Sequence, residues 1–251
     1  MTRRGLIGAG LALWAWAAAG CKTGPSANAD QGTLTDPSRP GSGPYMDKPL
    51  PVATPLGVPI PMGPGVPVLA RGAWTSVGVA RPKMINPMNG VRRITVHHEG
   101  ATVFTATGQA DAARRIESIR RGHVGRATDG QPWADIGYHY IVDPAGRVWE
   151  GRSVQYQGAH VHLKNESNLG IVVLGNFEKQ APTPAALATL DRFLAEQMRR
   201  YRVPIANVLT HRELNPTACP GRSLQSHMVA ARAVGGTLRL ALGGAGADSI
   251  A

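Results

Sequence analysis

The chain has 251 residues, 43% of them hydrophobic and 17% charged, enough for one good-sized globular domain with appendages. Its formal charge of +11 invites a nucleic-acid reading. That class is excluded because the basic residues are dispersed, in no run beyond a pair, and are not interleaved with stacking aromatics. Two cysteines, Cys21 and Cys219, exclude a disulfide framework.

Residues 1–21 read as an export signal: Arg3 and Arg4 form a basic start, and Leu6 to Ala19 is an uncharged apolar run of signal length, short for a membrane span. Ala18-Ala19-Gly20-Cys21 resembles a bacterial lipobox, which makes Cys21 the expected site of acylation. Thr2-Arg3-Arg4-Gly5-Leu6-Ile7 fits a twin-arginine signal and an ordinary signal about equally. Lys22 follows Cys21 where an aspartate would retain a lipoprotein at the inner membrane. The expected destination is therefore the cell envelope, on the periplasmic side of the outer membrane if the cell has two membranes. Residues 22–68, rich in Pro, Gly, Ser and Asp, read as a disordered tether that holds a domain away from a membrane.

The folded domain is expected over 69–235. Ile94 to Glu99 alternates as a strand. His98 shares a face with Ile94 and Val96 and reads as a packed core histidine, whereas His97 shares the polar face with Thr95 and Glu99. Asp111 to Arg121 reads as an amphipathic helix with Ala112, Ile116 and Ile119 buried and Gly122 as terminator. Trp133 to Val142 is a loop entering a strand, Asp143-Pro144-Ala145-Gly146 a turn, and Arg147 to Glu150 the returning strand. Leu169 to Leu174, continuously apolar, predicts a central strand covered on both faces. Thr183-Pro184 opens a helix with its N-cap and first-turn proline, and Leu187, Leu190, Leu194 and Tyr201 form its core face. Asn207 to Thr210 is a short strand delivering His211, Leu224 to Val234 a last helix, and 236–251 a flexible tail. Interleaved strands and helices predict an α/β fold, a mixed central sheet flanked by helices.

One stretch carries chemistry. Thr210-His211-Arg212-Glu213-Leu214-Asn215-Pro216-Thr217-Ala218-Cys219-Pro220-Gly221 sets a histidine and a cysteine eight residues apart across a proline-stiffened turn. Imidazole and thiolate form a zinc-type donor set. With His97 as third ligand, a tetrahedral ion would keep one position for water, the arrangement of a catalytic site. Any one of these residues alone is more often a packed side chain; their joint occurrence reverses the odds. Ligation would also mask an otherwise oxidisable thiol.

Ile94-Thr95-Val96-His97-His98, Trp133 to Tyr140, Leu169-Gly170-Ile171, and His211 with Thr217-Ala218-Cys219-Pro220 together resemble the zinc amidases of the peptidoglycan recognition protein family, from about Ala70 to Ala231. The resemblance implies a peptidoglycan recognition protein-like domain with N-acetylmuramoyl-L-alanine amidase activity, Zn2+ as cofactor, and peptidoglycan or muropeptides as partner of a monomer. By motif position it implies zinc ligands at His97, His211 and Cys219. It implies a catalytic tyrosine at Tyr138, with Thr217 near the metal, and muramyl-peptide contacts at His160 and Asn165. Glu99 departs from the small or hydroxyl residue usual there and is expected to rim the groove. Some relatives lack the metal ligands and only bind peptidoglycan. A peptidase acting on the stem peptide is a third reading, without a His-Glu-x-x-His helix to support it.

Overall fold

The computed structural model describes residues 65–125, 127–128 and 131–241. The signal, Cys21 and most of the 22–68 tether lie outside the described residues, as does the tail beyond 241. Among the described residues no helix is long and apolar enough to cross a membrane.

In chain order the strands and helices are β1 (Val68–Leu69), β2 (Arg93–His98), α1 (Gln109–Gly125), β3 (Ala127–Thr128), β4 (Gln131–Pro132), β5 (Tyr140–Val142), β6 (Val148–Glu150) and β7 (Asn168–Val173). They continue with α2 (Pro184–Tyr201), β8 (Val208–Thr210), α3 (His211–Leu214), α4 (Arg222–Arg232) and α5 (Thr237–Ala241). Six strands make one sheet in the order β1-β6-β5-β7-β2-β8. Within this sheet only β5 and β6 pair antiparallel and the other neighbours are parallel, so it is mixed; β3 and β4 form a separate antiparallel pair. The apolar run at Leu169 does lie centrally, and every residue of β7 is buried.

Strand periodicity divides the core in two. Ile94, Val96, Leu169, Ile171 and Val173 face α2 and α4, packing on Leu190, Phe193, Leu194, Leu224 and Met228. Ile141, Trp149, Val172 and Leu174 face the other way, onto Ala112 and Ile116 of α1. Each fully buried residue of this kind contributes about 1.5–3 kcal/mol. Helix α2 starts where the sequence places it, with Thr183 Oγ1 accepting the Ala186 N–H.

Two local expectations are corrected. Helix α1 runs through Gly122, whose Cβ position is open space, and ends at Gly125. Within the stretch expected to be a flexible tail, Thr237–Ala241 forms a fifth helix, held because Leu238 is wholly buried against α2 and α4. The polar face of β2 that carries Thr95 and His97 is buried, both residues being 0% exposed. Helix α1 covers that side of the sheet, and Thr95 satisfies its hydroxyl by donating to Asn168 Oδ1 at 2.8 Å.

Buried polar groups tie the strand entries together. The imidazole of His139, fully buried, accepts the Gly170 N–H at Nδ1 and donates from Nε2 to the Tyr156 carbonyl, both at 2.9 Å. Burial, assisted by the Arg152 charge, pushes its pKa from 6.5 down to about 4. The unfolded chain therefore binds a proton at this residue below pH 6.5 that the folded chain refuses until about pH 4. Stability from this group is complete above pH 6.5 and falls through that window, by on the order of 3 kcal/mol. Chemical denaturation between pH 7 and 4 should show this slope, and His139→Gln should flatten it.

A buried histidine and cysteine cluster as candidate metal centre

The cluster is assembled at the carboxyl ends of two adjacent parallel strands. Val96 on β2 is in register with Thr210 on β8, so His97 and His211 follow side by side, their ring centroids 4.8 Å apart. Thr210 caps α3 through a reciprocal capping box with Glu213, which starts the helix at His211 and fixes that imidazole against the sheet. Arg232 holds the other side of Glu213 at 2.6 Å, tying the short helix to α4.

Cys219 reaches the same point from the turn after α3. Gly221 closes that turn at φ 86°, where a Cβ would stand 2.5 Å from the Phe177 backbone. Only glycine permits so close an approach, and it seats the cysteine turn on the end of β7. The Cys219 N–H donates to Thr217 Oγ1 at 3.2 Å, placing Thr217 beside the thiol.

One donor atom from each of His97, His211 and Cys219 lies within 4.8 Å of the others, and all three residues are buried. Cys219 Sγ is 3.6 Å from His97 Nδ1. His211 Nδ1 is buried without a hydrogen-bond partner. An orphaned imidazole nitrogen in the interior is costly, and its natural partner is an ion shared with the other two donors. Two imidazoles and one thiolate suit zinc in charge and softness.

Around the cluster the rings are packed edge to face. Tyr138, 8% exposed, sits with its ring centroid 5.2 Å from that of His97. His123 supports it from α1 at 5.5 Å, its own Nδ1 accepting the Gly137 N–H. The expected helix ends before His123; because α1 continues to Gly125, His123 joins the buried side of Ala112, Ile116 and Arg120.

The two residues expected against substrate have partners within the protein. His160 Nδ1 lies 3.0 Å from His97 Nε2, and His160 Nε2 lies 3.1 Å from the Asn168 carbonyl. Burial foremost, then the neighbouring His97 and His139, holds the His160 pKa well below the ordinary imidazole value, so the ring is neutral. Asn165 Oδ1 accepts the N–H groups of His160 and Val161, both at 2.9 Å, and shapes the loop that carries His160.

Glu99 departs from the rim position expected of it. Its carboxylate is paired with Arg115 of α1 at 2.5 Å and is mostly buried. Desolvation raises its pKa from the usual carboxylate value against the opposing pull of Arg115. His98 matches its expected role, accepting the Phe177 N–H at 3.2 Å on the opposite face of the strand. Asp135 is structural too, forked by Arg71 at 2.9 and 3.0 Å.

A mixed α/β sheet carrying a buried His–His–Cys cluster at its strand ends defines a domain with a group that could hold a metal ion. Residues 87–222 match the Amidase_2 family, described as N-acetylmuramoyl-L-alanine amidase. The chain is 30% identical to peptidoglycan-recognition protein SD of Drosophila simulans over 162 residues, 63% of this chain and 82% of that protein. It is 34% identical to an N-acetylmuramoyl-L-alanine amidase of Homo sapiens over 146 residues, 57% of this chain but only 24% of that longer protein. Among solved structures it is similar to peptidoglycan recognition protein LE in complex with tracheal cytotoxin, a monomeric diaminopimelic acid-type peptidoglycan. That likeness has a TM-score of 0.55 and 25% identity, covering 64% of this chain and 91% of the other. The chain belongs to the peptidoglycan recognition protein and type 2 amidase family, and its fold is that of the family's α/β domain.

Proposed function

We propose that this protein is a zinc-dependent N-acetylmuramoyl-L-alanine amidase. It hydrolyses the amide joining N-acetylmuramic acid to L-alanine in bacterial peptidoglycan or its fragments. The observation that carries this reading is the convergence of His97, His211 and Cys219, three buried donors with one histidine nitrogen otherwise unpartnered. A family member that retains such a set has the means for catalysis, whereas a pure binding module has no use for it.

The His97 and His211 imidazoles and the Cys219 thiolate would hold the zinc ion, which would supply Lewis acidity for the scissile carbonyl and a water made nucleophilic near neutral pH. A thiolate gives more charge to the ion than a third imidazole would, so hydrogen-bond donors at the carbonyl carry more of the transition-state stabilisation. The Tyr138 phenol, packed beside His97, donates to the oxygen that develops negative charge. The Thr217 hydroxyl, next to Cys219, is the second such donor. The rings of Tyr138 and His160 pack against His97 and keep water from the inner side of the cluster.

The wider setting follows from the sequence. Acylated at Cys21 and tethered by 22–68, the domain would work as a monomeric envelope lipoprotein, on the periplasmic side of the outer membrane where the cell has two membranes. The tracheal cytotoxin bound by peptidoglycan recognition protein LE supports muropeptides as the ligand class.

The test is to incubate the protein with a defined muramyl peptide, with and without chelator, and identify products by mass spectrometry. Release of the intact stem peptide, abolished by chelator and restored by zinc, is expected. Binding without turnover would make the protein a recognition module, and cleavage inside the stem a peptidase.

A further inference from the structure

His160 is not one of the three converging donors, yet its backbone and both its ring nitrogens have partners within the protein. Asn165 fixes its backbone N–H. Gly158 and Gly170 wall its ring so closely that a Cβ on either would stand 2.3 and 2.5 Å from ring atoms. The Asn168 carbonyl meets one ring nitrogen and His97 Nε2 the other. Asn168 is itself anchored, its side chain accepting from Thr95 and donating to the Lys164 carbonyl.

The chemistry of these partners dictates where the protons are. A carbonyl oxygen only accepts, so His160 Nε2 carries the proton it shares with Asn168. A ring that donates at Nε2 accepts at Nδ1, so the 3.0 Å contact makes His97 Nε2 the donor. With its proton on Nε2, His97 has a lone pair at Nδ1, the atom 3.6 Å from Cys219 Sγ.

We propose that His160 is a positioning residue: through the chain Asn168 carbonyl, His160, His97, it fixes the His97 tautomer and ring so that Nδ1 faces Cys219 and His211. The inference rests on the zinc reading above, but its core, the tautomer of His97, is a property of the metal-free chain. A histidine ligand whose second nitrogen donates to a fixed acceptor is oriented before the ion arrives and is more basic towards it. A histidine is an uncommon acceptor for that job. It can serve only because a backbone carbonyl has already settled its own tautomer.

Long-range proton–nitrogen NMR of the chelator-treated full chain reads the tautomers directly. His97 and His160 should each be protonated at Nε2 alone. Protonation of His97 at Nδ1, or of both nitrogens of His160, overturns the proposal whatever the variants do. Zinc affinity by competition with a chromogenic chelator is the second readout. His160→Phe keeps a ring in the glycine-walled slot but removes both nitrogens, and should weaken zinc binding roughly 10- to 100-fold. His160→Gln, which can accept from His97 and donate to Asn168, should recover most of that loss. A His160→Phe protein with unchanged zinc affinity and a raised KM at full zinc loading would make His160 a substrate contact and contradict the proposal. If wild-type protein binds no zinc while its tautomers are as stated, the zinc reading fails and the positioning of His97 stands.

Discussion

Cys219→Ala should lose zinc and amidase activity together while the fold survives. Cys219 is 1% exposed and supplies the only sulfur among the three converging donors. Its removal leaves two imidazoles on adjacent strand ends, too few to hold an ion against water and buffer. The stabilisation lost with the metal is several kcal/mol of transition-state charge, so the rate should fall more than about a thousandfold. The backbone of the turn is held independently, by Gly221 against Phe177 and by Arg212 on the Ala218 carbonyl at 2.6 Å. The variant should therefore melt close to the metal-free wild type. Zinc should raise the wild-type melting temperature and leave that of Cys219→Ala unchanged, because only a native state that binds the ion is stabilised by it. Retained zinc at one equivalent in the variant would mean that the sulfur is not a ligand.

Tyr138→Phe should separate binding of the metal from chemistry. The substitution deletes one hydroxyl and keeps the ring that packs 5.2 Å from His97 and 5.5 Å from His123, so the cluster and its zinc should be undisturbed. An oxyanion donor is worth roughly 3 kcal/mol, a loss of about 100- to 1000-fold in kcat with KM little changed. Steady-state kinetics on a defined muramyl peptide, with zinc content measured on the same sample, reads both. A fully active variant would remove Tyr138 from the mechanism.

The alternation around Ile94 separates His97 from His98 correctly, because a strand turns successive side chains to opposite faces whatever surrounds it. The same alternation misjudges exposure. A polar face can still be buried: Thr95 meets Asn168, and His97 is packed among Tyr138, His160, His211 and Cys219, so both are 0% exposed. Glu99 shows the cost of that ignorance. Its burial against Arg115 follows from how α1 docks on the sheet, which no local spacing records.

Helix ends and short elements were the least legible. Glycine at 122 is tolerated mid-helix because its neighbours carry the turn, and α5 is held by Leu238 in a core built from residues far away in sequence. The capping pattern Thr210-x-x-Glu213 was open to reading and announces the helix at His211. For His160 the usable signal was its glycines: one two residues before it and one at 170, each standing where a side chain would strike the ring.

The account depends on a single ion shared by two imidazole nitrogens and one sulfur. X-ray absorption at the zinc edge of the zinc-loaded protein measures that set directly. One sulfur at about 2.3 Å and two histidine nitrogens at about 2.0–2.1 Å, with a light exchangeable scatterer completing the shell, is the predicted result. A zinc shell with no sulfur, or one closed by four protein ligands, would contradict it.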